Sequence, residues 1–264
     1  MKGVICCVCN HKGGVGKTTL STNLGAALSL QKKKVLVIDA DPQANTTGIL
    51  ITQETQIRNS LYELLDPTEN TETPSVDSCV YLSIHHGLYC IPNVEQSSAL
   101  ELDFVPLFPD SCNFLKNAVR DYVKQNYDFT FIDCSPSMSL MVLNALYASD
   151  IVIVPIDASS AYSLDGLRKV LKLISDIQEK GNTNLKFLKL AINRIDKRTT
   201  ISKIVIGDIN ERFPNYVFKT LLPIDTSFQQ AEYLKKTIFT HSPTSRGAKA
   251  YRALAKEFRS LTTL

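Results

Sequence analysis

Lys12-Gly13-Gly14-Val15-Gly16-Lys17-Thr18-Thr19 follows an apolar run, Val4-Ile5-Cys6-Cys7-Val8-Cys9, and precedes a helical pattern of Leu20, Leu24, Ala27 and Leu28. Strand, glycine loop and helix, in that order, form the setting that a phosphate-binding loop requires. Successive backbone N–H groups of such a loop make an anion nest, and the helix after it turns its positive end to the phosphates. Lys17 is placed to reach the terminal phosphates of a nucleotide, and Thr18 to offer its hydroxyl to Mg²⁺. The common spacing G-x-x-x-x-G-K-[ST] is not met in full. Asn10 and His11 precede Lys12, no glycine stands at the first position of the pattern, and a second lysine, Lys12, sits inside the loop.

Working outward, apolar runs alternate with helical patterns. Strands are expected at Gly3–Cys9, Lys34–Asp39, Phe129–Asp133, Ile151–Ile156 and Phe187–Asn193, each short, continuous and rich in Val, Ile or Phe. Amphipathic stretches at 17–32, 111–125, 139–147, 162–180 and 199–213 read as helices between them. The expectation is an α/β fold, a doubly wound and mostly parallel sheet with helices on both faces, of the P-loop NTPase type. Ligands of such sheets sit at the carboxyl ends of the strands. The polar, turn-rich region 66–80 reads as a surface excursion, and the apolar segments Val80–Ile84 and Leu88–Ile91 are too short to begin a domain. A single domain over 1–264 is expected.

The 264 residues are 44% hydrophobic and 21% charged, enough for one sizeable core. A net charge of +3 does not mark a nucleic-acid protein, so any basic patch must be local. No apolar run is long enough to span a membrane, and Met1-Lys2 leads straight into a strand, which leaves no room for a signal peptide. A cytoplasmic location follows as an expectation. The seven cysteines are scattered and several lie in apolar runs. Cys6 and Cys9 have a C-x-x-C spacing, but on a strand they face opposite sides, so a buried structural role is favoured over metal or redox chemistry. His85-His86 has no cysteine or carboxylate at ligand spacing and reads as a loop or sheet edge.

Three acids fall where nucleotide chemistry needs them. The second strand ends in Asp39-Ala40-Asp41-Pro42-Gln43, and the third in Asp133. A carboxylate at a strand end beside a phosphate loop holds Mg²⁺ through its water shell. Asp133 suits that role, Asp41 is placed to orient an attacking water, and Asp39 to support the metal and the loop.

With these residues in place the chain resembles the ParA/MinD family of deviant Walker-A ATPases, most of all its small ParA/Soj branch. The loop at 12–19, the segment VLVIDADPQANTT at Val35–Thr47 and FIDCSP at Phe131–Pro136 carry the likeness. It extends through Ile91-Pro92-Asn93, Ala191-Ile192-Asn193-Arg194, Leu222-Pro223-Ile224-Asp225 and Ser245-Arg246-Gly247-Ala248 with Tyr251. The resemblance implies ATP and Mg²⁺ as cofactors, with Lys12 to Thr19, Asn193, Arg194, Pro223, Ile224 and Asp225 binding the nucleotide. It implies Lys12, Lys17 and Asp41 as the catalytic set and Thr18, Asp39 and Asp133 as the metal set. Lys12 would reach the phosphates of a partner's ATP across a two-fold interface, so that ATP makes a homodimer. The segments after Asp41 and Asp133 would be switches, with Gly48 and Ser135-Pro136-Ser137 as mobile or turn residues. Slow hydrolysis, stimulation by a ParB-like adaptor and a role in plasmid or chromosome partition, or in positioning another cargo, belong to the same implication. The branch lacks the N-terminal helix-turn-helix domain of longer relatives, and none is expected here.

Departures from the family pattern are also legible. The second switch reads Cys-Ser-Pro-Ser where Cys-Pro-Pro or Thr-Pro-Pro is usual. The run Ile224-Asp225-Thr226-Ser227-Phe228 lacks the arginines that often follow the proline, and Gln230 replaces a common glutamate. For DNA the remaining candidate is the helical segment 245–261. Lys249, Arg252, Lys256 and Arg259 share one face, Arg246 adds to its start, and Ala248, Tyr251, Leu254, Ala255, Phe258 and Leu261 form the opposing apolar stripe. Lys197-Arg198, Lys203 and Lys235-Lys236 extend the patch. Contacts of this kind give sequence-independent, salt-sensitive binding. Lys32-Lys33-Lys34 reads instead as the cationic end of the first helix. The alternatives are a MinD-like membrane switch, which needs a free terminal amphipathic helix, a nucleotide-gated metal protein using Cys112 and Cys134, and a non-hydrolysing scaffold.

Overall fold

Five continuous apolar runs do become buried parallel strands, and two shorter segments join them. The computed structural model describes residues 3–66, 73–159, 163–196 and 198–262, with the backbone alone for 163–166. The order is β1 (Val4–Val8), α1 (Lys17–Ser29), β2 (Val35–Ala40), α2 (Asn45–Leu50), α3 (Leu61–Leu65), β3 (Tyr81–Leu82), β4 (Leu88–Ile91), α4 (Leu100–Phe104), α5 (Phe114–Asn126), β5 (Phe129–Cys134) and α6 (Leu140–Ala148). There follow β6 (Ile151–Asp157), α7 (Ser163–Lys180), β7 (Lys186–Asn193), α8 (Thr200–Arg212), α9 (Thr226–Tyr233), α10 (Ile238–His241) and α11 (Arg246–Thr262).

Among the described residues the strands form one seven-stranded sheet in the order β3-β4-β2-β5-β1-β6-β7. All neighbours are parallel except the edge pair β3 and β4. Val80–Ile84 and Leu88–Ile91 therefore extend the sheet, and His85 lies in their connection, its Nε2 2.6 Å from the Thr237 hydroxyl. The chain leaves β1 toward β2 on one side and reaches β6 on the other. A crevice opens at such a reversal, above the carboxyl ends of the strands.

Strand pleating sorts the core into two layers. Ile5, Cys7 and Cys9 of the first run, Leu36 and Ile38 of β2, and Ile132 and Cys134 of β5 face α3, α5, α6 and α7. Cys6 and Val8, Val35 and Val37, and Phe129 and Phe131 face α1, α10 and α11. Cys6 and Cys9 thus lie on opposite faces, and all seven cysteines are free and buried. Cys134 sits with its sulfur 3.5 Å from that of Cys7. The stripe of α11 is core: Ala248, Tyr251, Leu254, Ala255 and Phe258 are buried, and the Phe258 ring packs 5.3 Å from Phe129 and 5.5 Å from Phe131.

Two local expectations are corrected. The first helix stops at Ser29, so the three lysines lie beyond it rather than in its last turn. Lys32 takes a left-handed conformation (φ 61°), and the Lys33 N–H returns to the Leu28 carbonyl, a helix-ending turn. Lys33 then pairs with Asp128 at 3.2 Å, and Lys34 lies over the Tyr127 ring at 4.8 Å. Gly48 is not in a turn: it lies inside α2, where the aliphatic arm of Lys235 covers it.

Candidate functional site

The loop after β1 is shaped by two glycines. Gly14 (φ 72°) and Gly16 (φ 92°) adopt left-handed backbone that side chains disfavour, and a Cβ on Gly16 would stand 2.2 Å from Asn193 Nδ2. Gly16 caps α1 without any side-chain cap bond, and no acid occupies the first turn. The helix start therefore points uncompensated N–H groups into the space above the sheet. Beneath the loop, Asn10 donates to the Pro155 carbonyl at 2.7 Å and accepts from Lys12 N–H at 3.1 Å. Asn193 donates to the Val15 carbonyl at 3.1 Å and accepts from Arg194 N–H at 2.8 Å. The ends of β1, β6 and β7 are tied into one cradle.

Lys17 is only 6% exposed, and its ammonium donates to the Lys12 carbonyl at 3.2 Å. Burial holds it below the usual lysine range, although Asp133 pulls the other way. A desolvated cation that makes no salt bridge among the described pairs is suited to an anionic ligand.

Asp39 and Asp133 are register partners on β2 and β5 and are fully buried. Burial, and then the Asp133 charge, raise Asp39 to about 7; burial raises Asp133 to about 6 against the pull of its hydroxyl donors. Asp133 accepts from Thr18 at 2.8 Å, Ser21 at 3.0 Å and Thr46 at 2.7 Å. Asp39 accepts from the Thr47 N–H (2.8 Å) and hydroxyl (2.7 Å) and from Asp41 N–H (3.2 Å). Asp39 thus ties down the segment that follows β2. Asp41 stands higher, on the cavity wall, with one oxygen engaged by Gln43 N–H at 3.0 Å. Among the described residues no three His, Cys, Asp or Glu side chains converge on a metal position. Hydrated Mg²⁺ needs no such cage: one hydroxyl, the substrate phosphates and a carboxylate behind the water shell suffice. Thr18 and Asp133, 2.8 Å apart, are the hydroxyl and the carboxylate that such a set would use.

A cavity of about 470 Å³ lies over these residues. It brings together Gly13, Gly14, Gly16, Lys17, Thr18, Thr19 and Asp41 with Asn193, Arg194, Pro223, Ile224 and Asp225. Val15 is buried below it, and Lys12 stands half-exposed outside its lining. Asp225 is a dual anchor, accepting from Ser227 N–H at the start of α9 and from Gly247 N–H at the start of α11, both at 3.0 Å. Burial alone would raise its pKa, but these N–H donors hold it below the usual range. The acid in the arginine-poor loop therefore has a structural explanation. The sequence reading missed Ser21, Thr46 and Thr47 as carboxylate partners, and missed Gln43, Asn45, Phe228, Gln229 and Glu232 on the cavity wall. Thr46 and Thr47 had a signal, standing five and six residues beyond Asp41 in a segment already singled out, as did Phe228 at the end of the run from Ile224; Gln229 and Glu232 had none.

The five basic residues of α11 do not enter this cavity. Arg246, Lys249 and Lys256 are exposed, whereas Arg252 donates to the Pro243 carbonyl at 2.7 Å and Arg259 to Gln31 at 2.9 Å. Of the extensions, Lys203, Lys235 and Lys236 are exposed, Arg198 is paired with Asp196 through two bonds of 2.8 and 2.9 Å, and Lys197 lies outside the described residues. Among the described residues no helix is long and apolar enough to cross a membrane.

Comparison with known proteins matches residues 3–187 to the sequence model of a family described as an AAA domain. The chain is 36% identical over 255 residues to the sporulation initiation inhibitor protein Soj of Bacillus subtilis, covering 97% of this chain and 98% of that one. It is 36% identical over 251 residues to the chromosome-partitioning ATPase Soj of Thermus thermophilus, covering 94% and 92%. Among solved structures, cobyrinic acid a,c-diamide synthase of Mycobacterium smegmatis, with a bound ATP analogue and magnesium, superposes with a TM-score of 0.84 at 28% identity. That match covers 99% of this chain and 96% of the other.

Proposed function

The chain belongs to the ParA/Soj branch of the ParA/MinD family of ATPases, and from that premise we propose that it is an ATP-driven dimer switch that binds DNA without sequence preference. One observation carries the reading: a buried, desolvated Lys17 and the open end of α1 face the same cavity as Asp41 and the Asn193 and Pro223–Asp225 segments. The phosphates lie along Gly13 to Thr19, and the adenine lies against Asn193, Arg194, Pro223, Ile224 and Asp225. Thr18 would give Mg²⁺ a hydroxyl and Asp133, backed by Asp39, would hold its water shell, and the ion would supply charge withdrawal from the phosphate oxygens. Asp41 orients a water toward the γ-phosphorus; the bond to the bridging oxygen breaks, leaving ADP and phosphate.

Lys12 is the residue that calls for a second copy. It is half-exposed and stands outside the lining of its own cavity. Placed against a partner's phosphates it supplies positive charge in trans. Dimerisation doubles the basic face made by Arg246, Lys249, Arg252, Lys256 and Arg259, which couples ATP to DNA affinity. The function supported is partition of a plasmid or chromosome, or positioning of a cargo over the nucleoid, in the cytoplasm and with a ParB-like adaptor that speeds hydrolysis. A MinD-like insertion of the last helix in lipid is disfavoured, because its apolar stripe is packed on Phe129 and Phe131.

The test is binding of the full chain to non-specific duplex DNA in low salt with ATP, ADP or no nucleotide, alongside its mass in solution. ATP alone is expected to give the dimer and the DNA complex. Lys12→Ala is expected to bind nucleotide yet stay monomeric, and Asp41→Ala to persist as an ATP-bound dimer. Equal DNA binding in all three nucleotide states sinks the coupling.

A further inference from the structure

A second cleft lies behind the nucleotide cavity. It has a volume of about 370 Å³ and shares three wall residues with that cavity: Asp41, Gln43 and Pro136. The partition between the two spaces is therefore made of the segments after Asp41 and after Asp133. The mouth of the cleft is formed by exposed Ser98, Pro136 and Ser137, and its floor by buried Asn93, Ser97, Phe104 and Met141.

Set among the apolar Phe104 and Met141, two polar groups of that floor are unsatisfied. Five buried side-chain polar atoms among the described residues lack a hydrogen-bond partner, and two of them, Asn93 Nδ2 and Ser97 Oγ, belong to residues that line this one cleft. Asn93 is 2% exposed and Ser97 4%. Val94 N–H donates to Asn93 Oδ1 at 3.0 Å, and the Asn93 N–H donates to the Thr47 hydroxyl at 2.9 Å, so the amide is fixed with its NH₂ as the unused group. A buried donor left without an acceptor is costly, and such groups mark positions where another oxygen belongs. The Ser135 and Ser137 hydroxyls, 2.8 Å apart, add donors on the opposite wall.

We propose that this cleft is a holding site for inorganic phosphate, through which the cleaved γ-phosphate leaves between the two switch segments. The inference rests on the reading of the chain as an ATP hydrolase. Hydrolysis delivers an acceptor-rich oxyanion beside Asp41 and Pro136, two of the three residues that border both spaces. Asn93 and Ser97 donate to it from the floor, and Ser98, Ser135 and Ser137 from the sides. Two carboxylates also face the cleft, Asp41 and Glu101, and Glu101 already accepts from Leu140 N–H at 3.0 Å. They disfavour a dianion and accept from the P–OH of the monoanion, which keeps the hold weak, as a departing product requires. The serines of the Cys-Ser-Pro-Ser switch thereby acquire a role: they line the exit.

The test uses radiolabelled inorganic phosphate on the full chain already loaded with Mg²⁺, ADP and beryllium fluoride, so that the γ position is blocked. The parent is expected to retain one further phosphate per chain in equilibrium dialysis. Ser97→Ala, and separately Asn93→Leu, are expected to weaken that retention about tenfold, the loss of a bond to a charged group, while ADP binding stays within about twofold. Ser98→Glu at the mouth, a surface change that leaves the core intact, is expected to weaken it as well. In a single turnover, appearance of free phosphate on a fluorescent phosphate sensor is expected to lag bond cleavage in the parent. No retention by the blocked parent, or equal retention by all three variants, overturns the proposal. Absence of cleavage in the parent refutes the hydrolase reading instead, and the dialysis result stands apart from it.

Discussion

The nucleotide cavity takes its walls from the ends of four strands, β1, β2, β5 and β7, and from the Pro223–Asp225 loop and α9, whereas the basic face of α11 is carried by one helix. In the first, key side chains are held by partners far away in the chain: Thr18 on Asp133 and Asn193 on Val15. In the second, the apolar stripe is fixed in the core and the opposite face is set only by helical periodicity. Arg252 and Arg259 even turn to intramolecular acceptors. A convergent site is sensitive to single substitutions at its centre; a periodic face loses affinity in small, additive steps.

The sharpest way to break that contrast is Lys17→Ala. Removing a preorganised charge from a dry site costs ~10²–10³-fold in turnover. Because burial already disfavours the Lys17 charge, the nucleotide-free variant is expected to melt no lower than the parent. Hydrolysis and calorimetry on the same preparations check both statements. A variant that keeps a tenth of parental turnover would place the phosphates elsewhere.

Gly16→Ala comes next. Its φ of 92° strains any side chain, and the new methyl meets Asn193 Nδ2, which must release the Val15 carbonyl. Strain of about 1–3 kcal/mol is the expected scale. Titration with ADP is expected to show affinity down by roughly tenfold or more, and thermal melting a lowered midpoint. Gly14→Ala sharpens the comparison, since its Cβ would meet nothing within 4 Å and only the backbone cost remains.

These two positions also show what the sequence could reveal. Gly14, Gly16 and Lys17 were legible because a phosphate loop fixes backbone conformation at set offsets. Asp39, Asp41 and Asp133 were legible because each closes an apolar run. Ser21 was not, since it meets Asp133 across 112 residues and no periodicity encodes that meeting, and Thr46, though in a segment already singled out, gave no sign of its partner 87 residues away. The Lys32–Lys34 reading failed for a local reason: a left-handed Lys32 ends the helix early, and composition alone does not show a positive φ. The strands β3 and β4 were too short to stand out, although they complete the sheet edge.

The paired acids supply a middle-sized effect. Unfolded aspartates lose their protons near pH 4, whereas Asp39 retains its proton to about 7 and Asp133 to about 6. The folded, nucleotide-free protein binds more protons between these limits, so its stability falls as pH rises from about 4 to about 7. The melting temperature of the nucleotide-free chain is expected to drop across that window. Asp39→Asn, which removes one titrating group and the repulsion felt by the other, is expected to flatten the drop. An unchanged pH profile in the variant would mean that the two carboxylates are not titrating as a neighbouring pair.

The smallest effect belongs to the helix. Lys249 is exposed and does not line the nucleotide cavity, so Lys249→Ala is expected to leave basal hydrolysis and melting unchanged. DNA affinity is expected to fall only a few-fold, and the slope of log affinity against log salt to shrink by about one. Arg252→Ala separates charge from packing, because this guanidinium also lies over the Phe239 ring at 5.0 Å and caps the Pro243 carbonyl. It is expected to lower both DNA affinity and the melting temperature. If Lys249→Ala instead abolished DNA binding outright, α11 would be a convergent site like the nucleotide loop, and the distinction between the two regions would fail. If it changed neither affinity nor salt slope, the DNA face would lie on the exposed Lys203 or Lys235–Lys236 segments, outside α11.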